Sequence, residues 1–328
     1  MLLKPYTKLL TILFMFILCS VPHTVWADDY RITDHILTAY YGPGGDIVLP
    51  KEVYVVGVSA FMNNKTITSV MIQEGCHTIK DGAFDSCSNL TSISLPSTLE
   101  EIGAFAFARC TNLKSCYLPS NITRILDGAF RECHALTTIE IPEKTEIIGS
   151  GCFCYCDSIN KFRVNKNNTH FTAYEDALFT SDMKTLIQYP CGSDAESYSV
   201  PKGVEIIGRN AFTHALSLRE ITLPDTVTKL KPYAFSSCTN ITEIELPSSL
   251  SFIADSAFKN ASNLCRIYVH NDNVEIFPEA FIGDYSLVIY GNHSSNSEAY
   301  AQRYNIPFSV LEESDTNYPH PQKNCLLT

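Results

Sequence analysis

The chain has 328 residues, with 35 Asp and Glu against 24 Lys and Arg, giving a formal charge of −11. An excess of acid on this scale repels a polyphosphate backbone, which argues against nucleic acid as a partner. The longest apolar run, Leu9 to Cys19, is about half of the roughly 20 residues a membrane-crossing helix needs, so no transmembrane segment is expected once the leader is removed.

Residues 1–27 read as an export signal. Lys4 and Lys8 precede the apolar run, and Val25-Trp26-Ala27 offers a small-residue cleavage site. Cleavage there leaves a chain from Asp28 with 22 basic and 35 acidic residues, a formal charge of −13. Cys19 follows the bulky Leu18, which argues against lipid attachment at that cysteine. Next, Tyr41-Gly-Pro-Gly-Gly45 forms a turn before the strand-like Ile47-Val-Leu-Pro50, and residues 28–55 are assigned to an N-terminal cap. The glycines do not make a phosphate loop, because no Lys-Ser/Thr follows them.

A repeat then dominates the chain. Phe61, Phe84, Phe107, Phe130, Phe153, Phe212, Phe235, Phe258 and Phe281 are each 23 residues from the next, apart from one gap of 59, which is one repeat plus a 36-residue insertion. A small residue precedes each Phe, an aliphatic residue follows six positions later, and further aliphatics usually follow at nine and eleven. The alternation of Ile93 and Leu95 with Ser92 and Ser94 has a period of two, which predicts a very short strand with one buried face. Proline ends that strand at Pro96, Pro119, Pro142, Pro224 and Pro247, where a missing N–H is tolerated. The Gly-Ala-Phe segment is read as a turn or a single helical turn on the opposite side, with its Phe in the core. One such rung has no core of its own, so stability must come from stacking like residues on like.

Within the gap, Ala177-Leu-Phe-Thr180 and Thr185-Leu-Ile-Gln-Tyr189 flank the polar Ser181-Asp-Met-Lys184, which predicts a hairpin insertion over 165–200. After the last rung, Val288-Ile-Tyr290-Gly291 leads into the amphipathic Ser297-Glu-Ala-Tyr-Ala-Gln-Arg-Tyr304 and then Ile306-Pro-Phe308, a closing cap over 292–311. The polar tail 312–328 is expected to be disordered.

The columns Cys-x-x-Leu-x-x-Ile-x-Leu-Pro-x-x-Leu-x-x-Ile-Gly-x-x-Ala-Phe closely resemble the BspA-like leucine-rich repeats, over roughly Asp46 to Gly291. The resemblance implies an α/β-type repeat solenoid with one short parallel strand per rung and turn or short helical segments opposite, its repeats over 56–164 and 201–291. It also implies a secreted or cell-surface microbial protein, with adhesion to an extracellular protein or glycan as the expected role. Fold does not name a ligand. No Leu-Pro-x-Thr-Gly anchor occurs, a structural spacer or coat protein is the alternative, and no feature fixes an oligomeric state.

No residue set reads as catalytic, and neither a metal nor a cofactor is expected. Cys87, Cys110, Cys133, Cys156 and Cys238 lie three residues after a repeat Phe, Cys152 replaces the usual Ala, and Cys116 replaces a core Ile; all seven fit as small buried hydrophobes. The run Cys152-Phe-Cys154-Tyr-Cys156, with Cys191, matches no zinc spacing. Disulfides involving Cys76, Cys154, Cys191 or Cys265 are the more reasonable alternative. Glu243 and Glu245 share a strand face but lack a pocket. The outward strand columns, eight and ten after each Phe, are the expected binding face. Aromatic and Arg residues anchor interfaces. Tyr117, Lys161, Arg163, Arg266 and Tyr268 are therefore the candidate site residues, with Lys161 and Arg163 a basic island beside the hairpin.

Overall fold

The structure, a computed structural model, describes residues 29–284 and 286–311; the export-signal and tail readings, 1–27 and 312–328, fall outside them. The chain winds as a β-solenoid, and its logic is visible in one turn of the coil. Thr78–Ile79 is a two-residue strand, Asp81 to Ser86 form a turned ridge, and Ser92–Ser94 is the second strand, from which Pro96 leads to the next rung at Glu101–Ile102. In Ser92–Ser94 the two serines are exposed and Ile93 is buried. Successive rungs pair in parallel, Ser92 with Ser115 and Ile79 with Ile102.

Two rows of strands therefore run along the solenoid, where the sequence reading expected one. The first carries the alternating strands Gly45–Val48, Ile67–Met71, Ser92–Ser94 and the short Ser115–Cys116, and resumes in three further groups ending at Phe308–Val310. The second row lies in two sheets of seven strands, in which the regular rungs contribute two-residue strands such as Arg124–Ile125 and Ile147–Ile148 and longer strands begin each sheet.

Of the two readings of the Gly-Ala-Phe segment, the structure has the turn and not the helical turn. In eight of the nine Phe ridges the residue two before the Phe and the residue two after it are left-handed: Gly82 and Ser86 at φ 61° and 61°, Phe105 and Arg109 at 54° and 57°, Gly128 and Glu132 at 61° and 61°. A left-handed residue on each side of Ala-Phe stops a right-handed helix from propagating. The ridge N–H groups instead reach the next rung, Gly82 to Ala104, Phe84 to Ala106 and Ser86 to Ala108, at 2.8, 2.7 and 2.7 Å. The α/β description thus gives way to a β-solenoid, in which Asn296–Tyr304 is the one α-helix among the described residues.

The nine phenylalanines are all buried, Phe281 at 5 % exposure being the most open. Phe84 and Phe107 lie 5.3 Å apart with planes at 4°, and Phe107 and Phe130 repeat that distance at 15°. Such offset stacks add to the burial of apolar area. A second ladder runs beside them. The thiols of Cys87, Cys110, Cys133, Cys156 and Cys238 donate to the carbonyls of Phe61, Phe84, Phe107, Phe130 and Phe212 at 3.0 to 3.1 Å. Ten described cysteines are free and buried, including Cys76, Cys154 and Cys191, which corrects the disulfide alternative for those three. Cys265 is disulfide-bonded.

At the start, antiparallel Tyr30–Thr33 and Ile36–Tyr40 lie against Val55–Val56, and the Tyr40 ring sits 5.2 Å from Phe61. At the far end the helix begins at Ser295, whose side chain accepts from the Glu298 N–H, and ends at the left-handed Asn305. Tyr300 meets Phe281 edge-on at 5.7 Å, and Phe308–Val310 pairs with Val288–Gly291.

Candidate functional site

The five sequence-predicted site residues all project from the long-strand face, but the structure divides them into two groups. Tyr117 follows Ser115–Cys116 and is 87 % exposed, the most open large hydrophobic side chain described. Arg163, on the strand Phe162–Val164, is exposed and registers with Glu140 on the neighbouring strand, while Lys161 is half-buried at the entrance to that strand. Tyr117 and Arg163 stand two rungs apart, roughly 10 Å at the usual strand spacing.

Arg266 and Tyr268 lie beyond the insertion, on Arg266–Val269. Arg266 is no free cation: its Nε and Nη2 donate to Glu243 Oε2 at 2.9 and 2.6 Å. Tyr268 stacks on Tyr290 at 4.9 Å, and burial, reinforced by Glu243, raises its hydroxyl above the ordinary range. His270 Nε2 lies 3.0 Å from Glu245 Oε1. Glu243 and Glu245 thus serve cross-rung pairing. The partners were legible, because Glu243 and Arg266 occupy one column 23 residues apart and must be neighbours in a parallel stack.

A second feature, which the sequence reading missed, lies on the ridge side. The insertion forms three antiparallel strands, Phe171–Tyr174, Ala177–Thr180 and Thr185–Gln188, and the last pairs in parallel with Ile206–Ile207. Tyr189 then takes the place of a repeat Phe: its ring stacks on Phe212 at 5.3 Å and its N–H donates to Ala211 O at 2.7 Å, as Phe212 does to Ala234 at 2.8 Å. Regular rungs place Phe five residues after the buried strand residue, as from Ile207 to Phe212, whereas Tyr189 follows Leu186 by three. The shortened connection has no room for the left-handed residue that builds the ridge. A notch of about 460 Å³ opens there, with a shallower extension of about 130 Å³.

Arg131, Tyr155, Arg209, Asn210, Tyr233 and Lys259 line the notch. Arg131 lies over the Tyr155 ring at 5.4 Å and pairs with Glu132 at 3.0 Å. Arg209 and Lys259 each stand 5.9 Å from the centre of the Tyr233 ring, and neither forms an ion pair with a described residue. The carboxylate on the rim, Asp127, is occupied by the Ser150 N–H at 2.7 Å. Gly151 is left-handed at φ 62°, and a Cβ there would come within 2.9 Å of Asn210 Nδ2, so the wall at this point is shaped by the absence of a side chain. Beside the notch, Asp157 bridges His134 at 2.7 Å and His214 at 3.4 Å across the break in the ridge. The signal available in the sequence was Tyr189, which stands 23 residues before Phe212.

None of the His, Cys, Asp and Glu side chains among the described residues group into a metal-holding set, and no described helix is long and apolar enough to cross a membrane.

Comparison with known proteins agrees with this architecture. Solved structures with the same fold include a leucine-rich-repeat protein from Eubacterium ventriosum, 20 % identical with a TM-score of 0.59, the match covering 78 % of this chain and 80 % of that one. The pneumococcal vaccine antigen PcpA is 20 % identical with a TM-score of 0.56 over 86 % of this chain and 96 % of its own. A leucine-rich cell surface protein from Faecalibacterium prausnitzii is 22 % identical with a TM-score of 0.50, over 84 % and 93 %. No curated protein matches the chain. A family model for the BspA-type leucine-rich-repeat region matches in six copies over residues 54–181 and 189–301, and the chain belongs to that family.

Proposed function

We propose that this is an exported protein, secreted or held at the cell surface, which binds an extracellular protein or glycan in an adhesion-type role through its long-strand face. The observation that carries the reading is Tyr117, a large aromatic side chain 87 % exposed immediately after the paired strand Ser115–Cys116. Tyrosine and arginine on a rigid frame lose little conformational entropy on binding and are the usual anchors of interfaces. Tyr117, Lys161 and Arg163 form the primary site in this reading. Arg266 and Tyr268 form a flanking patch whose guanidinium is already neutralised by Glu243. No step of this function asks for catalysis, a metal or a cofactor.

Residues 28–55 and 292–311 act as caps, because Tyr40 and Tyr300 cover the ends of the phenylalanine stack. Residues 1–27 direct export and are removed, and 165–200 interrupt the repeats. The test is to pass the purified chain over arrays of matrix proteins and glycans. Saturable capture that excess soluble chain abolishes is the expected result. Its absence on every surface would favour a spacer or coat protein.

A further inference from the structure

The ridge-side notch is the feature that the strand-face reading leaves unused. We propose that it is a second binding site, for a saccharide carrying acidic groups.

Three observations converge. First, the notch is a built cavity: it exists because the connection from Leu186 to Tyr189 is two residues shorter than its counterpart from Ile207 to Phe212, and its volume of about 460 Å³ falls within the usual range for small-ligand sites. Second, it concentrates positive charge on a chain whose formal charge is −11. Arg209 and Lys259 flank Tyr233 without any ion-pair partner among the described residues, while Arg131, on the other side of the break, is paired with Glu132. At the notch the Tyr233 ring lies between Arg209 and Lys259, and a cation beside a ring keeps its charge available to a ligand.

Third, the polar groups between the cations suit hydroxyl-rich ligands. Asn210, Asn260, Ser150 and Ser236 supply amides and hydroxyls that both donate and accept. The Asp127 carboxylate, which accepts from the Ser150 N–H, keeps its negative charge, so the acid group of a ligand belongs on the Arg209 and Lys259 side of the notch. A neutral sugar would use the amides and leave the cations unmatched. A lone inorganic anion would use the cations and leave the amides unmatched. A sugar with a carboxylate or a sulfate uses both, with Arg209 and Lys259 as the acid-binding pair and Asn210 as the hydroxyl contact.

This site is independent of the strand face, and its test separates the two. A uronic-acid disaccharide, a sulfated disaccharide, a neutral disaccharide, inorganic sulfate and an oligoglutamate peptide are titrated separately into the full chain at fixed physiological ionic strength, by calorimetry. Two double variants follow, R209A/K259A in the notch and K161A/R163A on the strand face, which change the net charge equally. The expected result is saturable binding of the uronic-acid or the sulfated disaccharide, the two arms deciding which acid is taken. That binding should weaken about tenfold or more in R209A/K259A and stay within about twofold of wild type in K161A/R163A, with both variants melting as wild type. Four results overturn the proposal: no binding of either acidic disaccharide, equal weakening in both variants, equal affinity for the neutral disaccharide, or binding confined to sulfate or oligoglutamate.

Discussion

Phe130 lies inside the first phenylalanine stack, with a stacked ring on each side, and its replacement by Ala measures how far the solenoid depends on contacts between rungs. The ring is 0 % exposed and lies between Phe107 at 5.3 Å and Phe153 at 5.8 Å. Truncating a buried Phe costs about 3–5 kcal/mol, the spread reflecting how far the cavity can collapse. Collapse is hindered here. The Phe107 N–H donates to Ala129 O at 2.8 Å and the Phe130 N–H to Cys152 O at 2.9 Å, so the backbone fixes the rung spacing on both sides of the empty slot. The loss should therefore fall toward the upper end of that range, and further still if both ring stacks contribute. Exposed Ser94→Ala should change stability by less than about 0.5 kcal/mol. Urea unfolding followed by circular dichroism, with slopes compared to exclude a change in cooperativity, gives both values. Equal losses, or a loss below about 1 kcal/mol for Phe130→Ala, would refute the stacking argument.

Two further outcomes follow from buried groups. The ten free cysteines should resist a thiol reagent in the native protein and react after denaturation, because all are buried away from the reagent, and burial also pushes Cys191 up to about 11 and Cys238 to about 12; rapid labelling of Cys87, Cys110, Cys133, Cys156 or Cys238 without unfolding would refute it. Asp284 occupies the cysteine column of the last rung with no hydrogen-bond partner for its carboxyl oxygens, and burial pushes its pKa up from 3.8 to about 8. The folded state thus favours the protonated form, so the contribution of Asp284 to stability is greatest below about pH 4, falls as pH rises and levels off above about pH 8. Asp284→Asn should gain on the wild type by about 1–3 kcal/mol between pH 5 and 8, and a difference between the two proteins that stays constant with pH would contradict the assignment.

Much of this was legible because a solenoid repeats its chemistry. A column that stacks on itself must keep one kind of residue, so nine phenylalanines and the cysteines beside them mark the core. The strand prolines mark where the ladder can lose an N–H. The ridge was misread because its left-handed positions are occupied by residues such as Phe105, Arg109, Glu132 and Tyr155, which have no preference for that conformation and adopt it under the hydrogen bonds of their neighbours. Counting forward from Phe153 hid Tyr189, since the insertion intervenes; counting back from Phe212 finds it. The notch escaped for the same reason. It depends on a connection two residues short, and that comparison needs the parallel pairing of Leu186 with Ile207. Of the five candidate residues, Tyr117 and Arg163 stand exposed as their columns implied, whereas Arg266 is taken up by a neighbour one repeat away.

The most direct measurement of the binding reading is the affinity of a captured partner for Tyr117→Ala and Arg163→Ala proteins that melt as wild type does. Loss of an exposed aromatic or arginine anchor should cost about 1–3 kcal/mol, a weakening of roughly five- to 150-fold in Kd for each protein. Binding unchanged in both would contradict the account and remove the site from the long-strand face.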